Sequence, residues 1–177
     1  MNLPNALTIF RILLIPVFLI LLLYNHRNGA FGAFLAAGIT DALDGLVARL
    51  LGQQTKLGAY LDPVADKLLL SSAFVVLGAK GELPLWLAVT VIARDLLILL
   101  GFAILVMASF NPVAKPTPLS KATTVSQVVL VALVLSRGIF PSLKPLKPLL
   151  IGIVAVLTCV SGLHYIYLGT KVLEEGG

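Results

Sequence analysis

Residues 41–67 read DALDGLVARLLGQQTKLGAYLDPVADK, and on both sides the chain is almost unbroken Leu, Ile, Val, Ala and Phe. The stretch holds Asp41, Asp44, Asp62 and Asp66, with Arg49, Lys56 and Lys67 as its bases and Gly45, Gly52 and Gly58 between them. An ionised Asp near the middle of a membrane helix costs about 2.5–3.5 kcal/mol on insertion scales, and less toward the interface. Four such groups need pairing, hydration or a bound cation. The fold therefore turns on what surrounds them.

The 177 residues are 59% hydrophobic and 12% charged, with a mean hydropathy of +1.04. A soluble domain carries about a quarter charged residues, so the expected class is all-α, a polytopic membrane protein. A span needs about 20 apolar residues. Six segments qualify, near 5–24, 30–50, 57–79, 83–107, 122–140 and 147–168. Connectors rich in Gly, Pro, Asn and Lys separate them, and Pro84, Pro118 and Pro148 stand where helices should begin. No repeat marks a second unit, so residues 1–177 are expected to form one domain. The first segment has no basic leader and Arg11 interrupts its apolar run, which predicts an uncleaved helix. A net charge of +5 suits anionic headgroups, while the scattered bases give no basic run for nucleic acid. Lys and Arg divide evenly between the two sets of connectors, so charge alone sets no orientation. Cys159, alone in an apolar segment, is expected to be a packing residue.

Spacing carries the chemistry. Asp41 and Asp44 are three apart and Asp62 and Asp66 four apart, so each pair shares a helix face. Gly45, Ala48 and Gly58 are small enough to admit a second helix or a ligand beside them. Two antiparallel helices joined by a short connector near 51–56 would bring both pairs to one membrane surface. Hard oxygen donors without His or Cys favour Mg²⁺, Mn²⁺ or Ca²⁺ over zinc. Two other readings compete: a structural cluster paired by Arg49 and Lys67, and a cation or proton path. Arg94, within the fourth segment, and Lys121, at the start of the fifth, both call for anionic partners. A phosphate-bearing acceptor would supply one, an acid of the cluster or the adjacent Asp95 another. Arg11 has a weaker claim to such a role and equally suits an interfacial anchor. Trp86, Tyr165 and Tyr167 suit interfacial anchoring as well, and His26 and His164 are bystanders.

Asp41, Asp44, Gly45, Ala48, Arg49, Gly58, Asp62 and Asp66 follow the pattern D-x2-D-G-x2-A-R-x8-G-x3-D-x3-D. This resembles the signature of the CDP-alcohol phosphotransferases, which move a substituted phosphoryl group from a CDP-linked donor to an alcohol and release CMP. The stretch NLPNALTIFRILLIP (2–16) resembles the first helix of the phosphatidylglycerophosphate and cardiolipin synthases of that superfamily. ARDLLILL (93–100) resembles their fourth helix, and PTPLSKATTVSQ (116–127) the start of their fifth.

The resemblance implies six transmembrane helices and a homodimer. It implies two divalent ions, Mg²⁺ or Mn²⁺, held by Asp41, Asp44, Asp62 and Asp66. It also implies a CDP site shaped by Asp44, Gly45, Ala48, Arg49 and Gly58, with Asp66 as the base for the acceptor hydroxyl. CDP-diacylglycerol would be the donor, and Arg94 and Lys121 would meet the phosphate of a glycerol-type acceptor. Phosphatidylglycerophosphate synthases usually show Arg-Glu where this chain has Arg94-Asp95, and often Gly-Lys where it has Ser120-Lys121. Those departures lean toward phosphatidylglycerol as acceptor, whereas the compact length and first segment fit glycerol 3-phosphate; the latter is the expectation adopted. Because CDP-diacylglycerol and CTP are reached from the cytosol, the expected location is the cell (inner) membrane, with the acidic site and both termini on the cytoplasmic side.

Overall fold

The computed structural model describes the backbone of residues 3–51, 56–107 and 117–175, and the side chains of residues 9–41, 65–101, 103 and 117–171. The described residues form six α-helices: α1 Leu3–Leu23, α2 Arg27–Leu51, α3 Lys56–Ala79, α4 Leu85–Met107, α5 Pro118–Leu135 and α6 Leu146–Glu175. Among them there is no strand. Each apolar segment read from the sequence becomes one helix, as backbone groups must pair within a segment wherever no water reaches them.

Helix α1 packs against both α2 and α3, α6 against both α4 and α5, and the two halves meet through α3–α4 and α2–α5 contacts. The core runs along these seams through Phe18, Phe34, Phe74, Leu77, Leu87, Val91, Leu130 and Val154. Phe18 and Phe34 join α1 to α2 with ring centroids 5.8 Å apart, a tilted pairing that aromatic quadrupoles favour.

Short turns fix the antiparallel neighbours. Asn25, at φ 62, turns α1 into α2, and the His26 N–H closes that turn on Leu21 O at 2.8 Å. Gly81, at φ +68, follows the end of α3, where the N–H groups of Glu82 and Leu83 both reach Leu77 O. The left-handed backbone explains the glycine at that position. The Lys80 ammonium donates to Leu23 O at 3.2 Å and to Asn25 Oδ1 at 2.6 Å, which ties two of these turns together.

Two boundaries differ from expectation. Helix α5 ends at Leu135 rather than near 140, and two single 3₁₀ turns, Ser136–Gly138 and Pro141–Leu143, follow it. Pro141 pushes Phe140 out of helical conformation, to φ −124 and ψ 74, as a residue before proline requires. Helix α6 runs to Glu175 instead of 168 because its helix-forming tail outlasts its apolar run. Pro118 opens α5, and Thr117 caps it by accepting from the Ser120 N–H at 3.2 Å.

By length and composition, two helices among the described residues could cross a membrane, Pro118–Gly138 and Leu146–Lys171; a shorter apolar stretch is Ile9–Leu23. In the second of these only 17% of the apolar window is buried. Cys159 is exposed on that helix rather than packed inside, so its apolar surroundings in sequence lie largely on an outward face.

Candidate active site

The aspartate stretch opens over the end of α2 and the start of α3, with α1 packed against both. Asp41 stands on α2 and Asp66 on α3, and a single guanidinium joins them. Arg11 Nη1, on α1, lies 2.9 Å from Asp41 Oδ1 and 3.2 Å from Asp66 Oδ1. The Arg11 side chain has no exposed surface, whereas those of Asp41 and Asp66 are 47% and 39% exposed. The buried cation thus braces the two acids from the core side and leaves each carboxylate an open side. Both carboxylate oxygens converge on one nitrogen of a guanidinium that stays charged even when buried.

Arg11 is therefore neither an interfacial anchor nor marginal. The sequence ranks it low because its partners sit on other helices; the one available signal was a cation inside an apolar run that must pair somewhere. The structural reading of the cluster named Lys67 as a partner for its acids. Lys67 instead pairs with Asp95 on α4.

Asp44, Gly45, Ala48 and Arg49 fall on α2, and Gly58 and Asp62 on α3, but their side chains lie outside the described residues. Among the described residues no three His, Cys, Asp or Glu side chains assemble into a metal-binding group; of the four aspartates only Asp41 and Asp66 are described. Those two suit a hard divalent cation. Their donors are carboxylate oxygens, their outer sides are open, and Arg11 holds them at a common point.

A second polar cluster begins one residue after Asp66. Lys67 reaches Asp95 Oδ1, which also accepts from Arg94 Nη1 at 2.7 Å. Arg94, only 4% exposed, donates through Nη2 to Ser120 Oγ at 2.6 Å and to Ser161 Oγ at 2.8 Å, and through Nε to Ser161 Oγ at 3.2 Å. The Tyr165 ring lies 5.8 Å from its guanidinium carbon, within cation–π range. The Tyr165 hydroxyl accepts from the Thr117 N–H at 3.5 Å. Tyr165 thus belongs to this cluster rather than to an interfacial belt; Ser120 stands in the 116–127 stretch quoted above, whereas Ser161 joins the cluster unannounced by any motif. Trp86 and Tyr167 are exposed, as interfacial anchors should be. Lys121 is exposed on the first turn of α5, beside Ser120.

Of the acceptor-side residues, then, Arg94 is neutralised locally by Asp95, one of the alternatives its sequence context offered. The two clusters are consecutive: α3 hands Asp66 to one and Lys67 to the other. Together they set an exposed pair of carboxylates beside a cluster of two cations sharing one acid, an arrangement suited to a phosphorylated ligand approaching through metal.

Comparison with known proteins agrees with this chemistry. The family profile described as CDP-alcohol phosphatidyltransferase matches residues 1–163. A Mycobacterium tuberculosis protein named "Probable phosphatidylglycerophosphate synthase" is 35% identical over 175 residues, covering 93% of this chain and 80% of the relative. The Bacillus subtilis CDP-diacylglycerol–glycerol-3-phosphate 3-phosphatidyltransferase is 34% identical over 186 residues, covering 93% of each chain. The human cardiolipin synthase (CMP-forming) is 33% identical over 190 residues, covering 98% of this chain and 63% of the relative.

Proposed function

The chain belongs to the CDP-alcohol phosphatidyltransferase family and is a transferase of phospholipid biosynthesis; from that premise we propose that it moves the phosphatidyl group of CDP-diacylglycerol onto glycerol 3-phosphate. The products are phosphatidylglycerophosphate and CMP. The observation that carries this reading is the meeting on buried Arg11 of Asp41 and Asp66, the first and last residues of the eight-residue pattern.

In this mechanism Asp41, Asp44, Asp62 and Asp66 would hold two Mg²⁺ or Mn²⁺ ions, whose charge would offset the donor pyrophosphate and the leaving group. Asp44, Gly45, Ala48, Arg49 and Gly58 shape the nucleotide site, with Arg49 offering a planar fork to phosphate oxygens. Asp66 takes the proton from the acceptor hydroxyl as that oxygen bonds to the phosphorus bearing diacylglycerol. The bond from this phosphorus to the CMP oxygen breaks, and CMP leaves with its electron pair. Lys121 and Arg94 meet the acceptor phosphate, with Asp95, Ser120 and Ser161 fixing the Arg94 plane. All six helices span the membrane of the cell, as a homodimer, with the aspartates at the cytoplasmic face.

A second acceptor, phosphatidylglycerol, has its own support in the Arg94-Asp95 pair and in the match to a cardiolipin synthase. The test offers purified protein CDP-diacylglycerol and Mg²⁺ with either acceptor and identifies the lipid formed. Phosphatidylglycerophosphate is the expected product; cardiolipin would move the assignment to the second acceptor. Absence of metal-dependent CMP release with either would overturn the enzyme mechanism.

A further inference from the structure

The end of the bundle away from the aspartates carries an open basin of about 600 Å³, formed where the α1–α2, α3–α4 and α5–α6 turns meet. Arg27, Lys80, Arg137 and Lys147 line it, against the single carboxylate of Glu82. Arg27 Nη2 is bound to Glu82 Oε1 at 2.6 Å, and Lys80 is held by Leu23 O and Asn25 Oδ1. Two of the four cations are therefore locked into the walls. Arg137 and Lys147 make no ion pair among the described residues and keep their hydrogens for a ligand. Asn25 and Gly81, the only described residues at positive φ, both line the basin.

Converging cations with one internal acid call for an anion, and the fork of Arg137 suits phosphate oxygens. The surroundings indicate where that phosphate comes from. Tyr24 and Phe140 stand exposed on two of the turns and Trp86 at the start of α4, the position of side chains that mark the headgroup level of a bilayer. Apolar α1 and α4 surface continues directly from them through exposed Ile20, Leu23 and Val89. We propose that this basin binds the phosphate of an anionic phospholipid in the leaflet opposite the aspartates. The inference rests on the membrane-spanning reading above, but not on the identity of the acceptor alcohol.

The test uses the full chain in detergent micelles and native mass spectrometry with phosphatidylserine, which is neither substrate nor product of the proposed reaction. Phosphatidylcholine and inorganic phosphate serve as the other probes. Wild type should retain phosphatidylserine and not phosphatidylcholine. The double variant Arg137→Gln/Lys147→Gln should bind phosphatidylserine roughly thirtyfold more weakly, from the loss of two cations near a lipid phosphate. The control Lys144→Gln, an exposed cation outside the basin, should bind like wild type. Equal retention by the double variant, or equal retention of phosphatidylcholine, would overturn the site. Displacement of the lipid by millimolar inorganic phosphate would overturn the lipid source in favour of a soluble anion. CMP release is followed in every variant: its loss in wild type sinks the enzymatic reading alone, while the lipid measurement stands independently.

Discussion

A guanidinium with no exposed surface is stable only against anions, and Arg11 finds two, on helices that approach α1 from different sides. Breaking a buried pair by removing one partner costs about 3–5 kcal/mol; with both acids half exposed, Arg11→Gln should fall near the lower end. It should also slow CMP release by about a hundredfold, because the two carboxylates lose their common brace. Arg11→Lys keeps the charge but moves it off the position where Nη1 meets both acids, so thermal stability should recover more than turnover. A variant with wild-type turnover would remove Arg11 from the site. Asp66→Asn acts differently: helicity measured by circular dichroism should persist while CMP release disappears, and near-normal turnover would exclude Asp66 as the base. Asp41 and Asp66 were legible because each stands at helical spacing from a second aspartate in its own segment. Arg11 was not, since its contact with Asp66 joins residues 55 apart and exists only once α1 packs on α3.

Among the elements, α4, α5 and α6 owe their mutual placement to more than apolar contact. Arg94 on α4 reaches Ser120 on α5 and Ser161 on α6, with Gly162 close against its side-chain stem. A lysine cannot span Asp95, Ser120 and Ser161 together. Arg94→Lys should therefore raise the KM for the acceptor about tenfold while leaving that for CDP-diacylglycerol near wild type. Equal changes for both substrates would assign Arg94 to scaffolding alone. The α3–α4 turn offers the contrasting case. A Cβ at Gly81 meets nothing within 4 Å, but its φ of +68 strains any L side chain. Gly81→Ala should cost about 1 kcal/mol and lower the thermal midpoint by about 2–4 °C, with CMP release per folded molecule unchanged. The helices themselves were legible from apolar runs bounded by Gly and Pro. The end of α5 was missed because hydropathy continues through Ile139 and Phe140, while Pro141 denies Phe140 helical geometry.

At the scale of the whole molecule, the bundle separates charge by its two ends. The aspartates with Arg11 occupy one end, and the basin of Arg27, Lys80, Arg137 and Lys147 the other. Counting cations in connectors could not orient the chain, because the count is balanced. Under the proposed function chemistry orients it instead: a site for a cytidine nucleotide would face the compartment that makes the nucleotide. Helix α6 gives a direct readout, since Lys144 just before it and Lys171 near its end are both exposed and lie at opposite ends of its apolar window. That window, 26 residues from Leu146 to Lys171, extends farther than a hydrocarbon core of about 30 Å, at 1.5 Å per residue. The exposed thiol of Cys159 must first be removed as Cys159→Ser, so that a single introduced cysteine reports alone. In intact cells a membrane-impermeant maleimide should then label Lys144→Cys but not Lys171→Cys, and permeabilisation should expose the second. The reverse pattern would invert the chain and place the aspartates away from the cytosolic nucleotide. Labelling of both positions in intact cells would mean that α6 does not cross the membrane at all.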